Sequence, residues 1–175
     1  MTRIRTLMGS ALLLAGLSAC AAAGGDGPGS APAPASRQTI SYSIGPCFGF
    51  CPVYTASIAA NGAVHFEGAR HTAVLGARDI RAAPSAFAAV SAALADYRPA
   101  TGTTAETQCE QQISDQQHTT ITWTAADGTK TVLEHDKGCR SARNEKLNAV
   151  IGELPAKLGI ADLAKQQTRP GASRG

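Results

Sequence analysis

Two four-residue corners, Ala59-Ala60-Asn61-Gly62 and Ala125-Ala126-Asp127-Gly128, constrain this chain more than any other feature. Each stands between runs that alternate apolar and polar residues, as a β-hairpin with one buried face requires. In the first hairpin, Val53 to Gly68, a two-residue Asn-Gly loop would set Ile58 against His65 and Ala56 against Glu67. A three-residue loop, Ala60-Asn61-Gly62 with Gly62 left-handed, sets Ile58 against Val64 and Ala56 against Phe66. Only the second register collects apolar side chains on one face, so the longer loop is expected. In the second hairpin, His118 to Ala125 and Thr129 to His135 flank Ala126-Asp127-Gly128. A three-residue loop there puts Trp123 across from Thr131 and Ile121 across from Leu133. A shorter loop would bury Glu134 opposite Ile121 without a partner.

A strand from Thr39 to Ile44, with Ile40, Tyr42 and Ile44 on one side, precedes both hairpins. A helix follows each. In the first, Pro84 suits the opening turn, Phe87, Val90, Leu94 and Tyr97 recur at helical spacing, and Pro99 after Arg98 stops it. The second opens on Ser141 as its cap and carries Leu147, Val150, Ile151, Leu154 and Leu158. Gly152 and Pro155 are expected to kink it or end its regular part. The expected class is α+β: an antiparallel sheet of two hairpins and a leading strand, with two helices on one face, in the order strand, hairpin, helix, hairpin, helix. The other face then shows Thr55, Ser57, His65, Glu67, Thr120, Thr122, Thr124, Lys130, Val132 and Glu134. Such a Thr-rich surface is either solvated or receives a partner.

Ahead of this domain, placed at 39–164, the sequence changes character. Met1-Thr2-Arg3-Ile4-Arg5 is a short basic head, and Leu7 to Leu17 is an apolar run too short to span a bilayer permanently. It ends in Leu17-Ser18-Ala19-Cys20, which resembles the lipobox of bacterial lipoproteins. The resemblance implies that residues 1–19 are a signal peptide and that the Cys20 thiol takes a diacylglyceryl group. It also implies that lipid on Cys20 holds the protein to a membrane. Ala21 in place of Asp implies, for such lipoproteins, the outer membrane with the domain facing the periplasm. Residues 21–38, rich in Gly, Ala, Pro and Ser, cannot offset their ordering entropy and read as a flexible tether; residues 165–175 read as a tail of the same kind.

The five cysteines fit that address. With Cys20 consumed by lipid, Cys47, Cys51, Cys109 and Cys139 can pair in an oxidising compartment. Three connectivities are possible. Local pairing is favoured: Cys47 with Cys51 across a tight corner, and Cys109 with Cys139, which the extended second ladder brings near residue 115. Cys47-x-x-x-Cys51-Pro52 also resembles the copper-chaperone motif of thioredoxin-fold electron-transfer assembly proteins. Those cysteines precede a helix whose dipole activates the thiol, whereas Val53 to Ala59 alternates as a strand. Thiol-redox or metal chemistry through Cys47 and Cys51 is therefore the alternative function and not the first one.

Other chemistry lacks its residues. His65, His71, His118 and His135 are scattered over two hairpins without helical His-x-x-x-His spacing, so no metal site is expected. His65 and Glu67 share the face opposite the core and read as solvated. The sequence contains no Gly-x-Ser-x-Gly elbow, phosphate loop or Ser-x-x-Lys motif, and neither catalytic residue nor cofactor is expected. The formal charge of +3 shrinks once Arg3 and Arg5 leave with the signal peptide, to 14 basic against 13 acidic side chains. Nor do aromatics interleave with basic runs, so nucleic acid is not an expected partner.

The run Gly45-Pro46-Cys47-Phe48-Gly49-Phe50-Cys51-Pro52-Val53-Tyr54, followed by Asn61-Gly62 and Phe66-Glu67-Gly68, resembles an uncharacterised bacterial domain-of-unknown-function family. That family's signature is Gly-Pro-Cys-x-Gly-x-Cys-Pro-x-Tyr. The resemblance covers about 39 to 160 and implies that the cysteine corner is a structural signature; it implies no activity. The resulting expectation is a non-enzymatic binding module, lipid-anchored in the envelope, with an envelope protein as partner.

Overall fold

Alternation with one buried side dictates a sheet covered on a single face, and the computed structural model, which describes residues 37–167, has that layering. The strands are β1 (Thr39–Ile44), β2 (Val53–Ala59), β3 (Ala63–Arg70), β4 (Gly76–Arg81), β5 (Thr104–Glu106), β6 (Gln111–Gln112), β7 (His118–Thr124), β8 (Lys130–Asp136) and β9 (Cys139–Arg140). The helices are α1 (Ala86–Leu94), continued by a 3₁₀ turn at Ala95–Tyr97, then α2 (Ala142–Leu158) and the short α3 (Ala161–Ala164). The main sheet has seven strands in the order β4-β3-β2-β1-β7-β8-β5. All neighbours are antiparallel except β5 and β8. The fold is α+β with one large, mostly antiparallel sheet and few helices.

The hairpin registers set Ile58 against Val64 and Ala56 against Phe66, then Trp123 against Thr131 and Ile121 against Leu133. Between the hairpins β1 pairs with both, Tyr42 lying beside Ala56 and Ile121. One row of side chains, Ile40, Tyr42, Ala56, Ile58, Val64, Phe66, Ile121 and Leu133, is buried with Val90 and Leu94 of α1 and Leu147, Leu154 and Leu158 of α2. The alternate row is exposed or half-buried and includes Thr55, His65, Thr120 and Glu134.

Three expectations need correction. The sheet has seven strands where five were expected, because β4 and β5 add to its two edges. Both edge strands are polar, with only Ile80 and Ala105 partly covered, so they carry no alternation. Backbone pairing holds them, and pairing energy leaves no mark on composition. Second, the β7–β8 ladder stops at His118 and Asp136, and Cys139 pairs with Gln112 in a separate two-stranded sheet. Gly138 lets the chain pass directly beneath the Ile113 carbonyl, where any Cβ would collide with it. Third, α2 continues past Gly152 and through Pro155, closing on Gly159 at φ 73°. Leu154 and Leu158 are fully buried, and that burial outweighs the one hydrogen bond lost at Pro155. Ser141 caps the helix by accepting from the Asn144 N–H at 3.1 Å.

Gly152 is exposed in the interior of α2, and a Cβ added there would meet nothing within 4 Å. Gly152→Ala is therefore expected to stabilise the protein by about 0.5–1 kcal/mol, read as a higher urea midpoint at unchanged slope.

The chain remains attached as far as Gln167. Gln166 bridges to Thr72, and the Gln167 N–H donates to His71 O at 2.8 Å. Residues 165–167 are thus part of the fold and not of a tail; the rest of that expected tail lies outside the described residues. So do the expected signal peptide, Cys20 and residues 20–36 of the expected tether.

Candidate functional site

Antiparallel pairing sends β1 and its neighbours to two ends of the sheet. Thr39 enters at the end that carries the Asn61-Gly62 and Asp127-Gly128 corners. The opposite end gathers the connections β1–β2, β3–β4 and β6–β7. Among the described residues, all four exposed large apolar side chains belong to that end: Phe48 (90% exposed), Phe50 (38%), Leu75 (61%) and Ile113 (39%). Phe50 meets the His71 ring edge-on at 5.2 Å, and the Phe48 N–H donates to Asp115 O at 3.2 Å.

The cysteine corner is fastened from both sides. Cys47 and Cys51 stand at disulfide distance, with Cα atoms 5.8 Å apart. Gln117 Nε2 donates to Gly45 O at 2.9 Å and to Pro52 O at 2.8 Å, closing the base of the corner. That glutamine bears no sequence signal; only the antiparallel pairing of β1 with β7, which starts at the next residue, brings it there. Cys109 and Cys139 are also at disulfide distance, with Cα atoms 4.9 Å apart. Cys139 lies just ahead of the α2 cap and is buried, while Cys109 is exposed. Cys20 lies outside the described residues.

Behind the apolar end, the core-facing side chains of Ile44, Tyr54 and Thr119 leave a cavity of about 360 Å³ against α2 and α3. Lys137, Lys165, Gln117 and Asn148 stand among its polar lining residues. A second cavity, about 440 Å³, lies beside the start of α2 and includes Arg98, Cys109, Leu133 and Arg143. Its arginines are occupied: Arg143 stacks 5.2 Å from the Tyr97 ring and donates to Asp96 O, and Arg98 lies 5.8 Å from the Trp123 ring.

His135 is buried under α2. Thr107 Oγ1 lies 2.9 Å from its Nδ1, and Asn148 Oδ1 lies 2.8 Å from its Nε2. The amide oxygen can only accept, so Nε2 carries the proton and Nδ1 accepts from the threonine hydroxyl. Burial pushes the imidazole below its ordinary value of 6.5, against the opposite pull of Asn148 and Asp136. The unfolded chain takes up a proton near 6.5 that the folded chain refuses, so stability falls as pH drops below 6.5. A fall in the urea midpoint between pH 6.5 and about 5, above most carboxylate titration, is expected, and His135→Gln should flatten it.

The remaining histidines do not converge. His65 pairs with Asp79 at 2.7 Å across β3 and β4, a partner invisible until β4 is recognised, and the pair is exposed. His118 lies 3.4 Å from Asp136. Burial raises the phenols of Tyr42 and Tyr54, whose rings meet edge-on at 5.8 Å. Among the described residues no cluster of three His, Cys, Asp or Glu could hold a metal ion, and no helix is long and apolar enough to cross a membrane.

Residues 38–156 match the family described as Domain of unknown function (DUF6438). Comparison with curated proteins and with solved structures finds no match. The matched span takes in β1 to β9 and nearly all of α2, so the apolar end, both cysteine pairs and most of the first cavity's lining fall inside it. This chain belongs to the DUF6438 family.

Proposed function

We propose that this protein is an exported, lipid-anchored interaction module that meets an envelope protein through the apolar end of its sheet. One observation carries the reading: Phe48, Phe50, Leu75 and Ile113, the only exposed large apolar residues among those described, lie on loops at the end opposite Thr39. Scattered single apolar residues are ordinary on a surface, but their collection at one end marks a contact site. Aromatic side chains on a fastened corner bring apolar area to a partner at low entropic cost. Thr39, opposite, is where a tether from Cys20 would join, leaving the apolar end free to project from the membrane. The alternative, thiol or metal chemistry at Cys47 and Cys51, loses its activating dipole because β2 and not a helix follows Cys51.

The test has two arms. Cells fed a tagged fatty acid should label the wild-type chain and not Cys20→Ser; equal labelling would remove the anchor. A photo-crosslinker at position 48 in intact envelopes should yield a defined adduct that one at Thr122, on the open face, does not. Leu75→Asp should abolish the adduct while changing stability by about 0.5 kcal/mol or less, as surface substitutions do. Adducts alike at 48 and 122 would overturn the contact site.

A further inference from the structure

We propose that the cavity of about 360 Å³ between the sheet end and α2–α3 is a binding site for a small amphipathic anion, an aliphatic chain bearing one carboxylate or phosphate. This goes beyond the protein contact above and stands on different residues.

The size falls in the range of small-molecule sites, which are mostly apolar with few polar groups. Ile44 and Tyr54 supply an apolar wall from the sheet, and Ile151 and Ala156 supply one from α2. The two residues least suited to a helix interior, Gly152 and Pro155, both sit in α2 and both line this cavity. Neither was needed to end the helix, which runs on to Leu158. Gly152 leaves open space where almost any other residue would project a side chain. Helix stability is thus given up at the place where the space is kept, a conflict between local preference and fold that marks functional sites.

Charge selects the ligand. Lys137 and Lys165 line the cavity and no Asp or Glu does. Neither lysine has a carboxylate within 4.0 Å among the described residues, although Lys157 and Arg140 do. A mostly apolar, open-sided cavity whose lining includes two exposed lysines and no acidic side chain favours a molecule with an apolar body and an anionic head. That chemistry could come from a free fatty acid or from an anionic lipid.

The experiment uses the full chain carrying Cys20→Ser, which leaves every described residue in place. In calorimetric titration, decanoate should bind saturably at one site and decanol about tenfold more weakly, the loss expected for one charge-assisted contact. Lys137→Gln with Lys165→Gln should weaken decanoate about tenfold and leave decanol unchanged. Gly152→Leu should abolish binding of both while the melting temperature stays level or rises, which separates a filled cavity from a misfolded chain. A parallel arm sediments the protein with phosphatidylglycerol vesicles. Vesicle binding that Gly152→Leu removes, without decanoate binding, assigns the site to a membrane lipid and upholds it. Failure of wild type to bind either probe saturably, or binding that survives Gly152→Leu, overturns it. Neither result bears on the adduct at position 48, so the two proposals fail separately.

Discussion

Replacing Cys109 and Cys139 together by alanine is expected to cost about 3–4 kcal/mol of unfolding free energy, a substantial part of the roughly 5–15 kcal/mol margin of a domain. The reason lies in the segment that the bond ties down at Cys109. None of the residues from 99 to 116 is buried, so this stretch contributes nothing to the core that could hold it. Its attachments are three residues of parallel pairing between β5 and β8, the short β6–β9 pair, and bonds such as Asn144 Nδ2 to Gln108 O at 2.9 Å. A crosslink spanning 30 residues removes much of the freedom the unfolded chain would otherwise gain. The same replacement at Cys47 and Cys51, only 4 residues apart, should cost about 2 kcal/mol. Urea denaturation of the two double variants gives the comparison. Hydrogen exchange should rise chiefly over residues 99–117 in the first variant and leave β1 to β3 protected. Equal losses in the two variants would mean that unfolded-state entropy does not govern either bond.

Gly68→Ala should cost about 3 kcal/mol, although it adds one methyl group to a position read from sequence as an ordinary strand end. An added Cβ would fall on the Val74 carbonyl oxygen and lie 2.5 Å from Thr72 Oγ1. These atoms cannot withdraw. Thr72 Oγ1 donates to Val74 O at 2.7 Å, Thr72 bridges to Gln166, and the Val74 N–H donates to Leu163 O at 3.2 Å. The strain therefore has to move the β3–β4 connection, and Leu75 with it. Gly152→Ala is the same chemical change with the opposite expected sign, because nothing stands near its Cβ. Measuring both midpoints under one condition tests the contrast; a loss at Gly68 below about 1 kcal/mol would mean the loop yields easily.

Some of this was legible early. Both hairpin registers follow from apolar alternation meeting a glycine corner, since a slip of one residue would expose Ile58 or bury Glu134. The span of α1 and the Ser141 cap of α2 follow from equally local signals. The edge strands were not legible, because Gly76–Arg81 and Thr104–Glu106 gain backbone pairing and bury little. That α2 does not end at Gly152 or Pro155 was not legible either, for a related reason. Gly152 and Pro155 speak against a helix locally, and only the burial of Leu154 and Leu158 against the sheet overrules them. Of the candidate site, the cysteine corner was visible as a motif, but Gln117, Leu75, Ile113 and the cavity were not.

The amino-acid sequence on its own determined which residues face the core, where the two hairpins turn, and where each long helix begins. All of these depend on neighbours within about ten positions, where periodicity and cap chemistry act. The tertiary structure alone decided that β1 joins the two hairpins and that four distant apolar side chains share one end. It alone decided, too, that small residues of α2 stand over a chamber instead of breaking a helix. Contacts between residues far apart in the chain depend on which faces bury together across the whole domain, and no local pattern carries that energy.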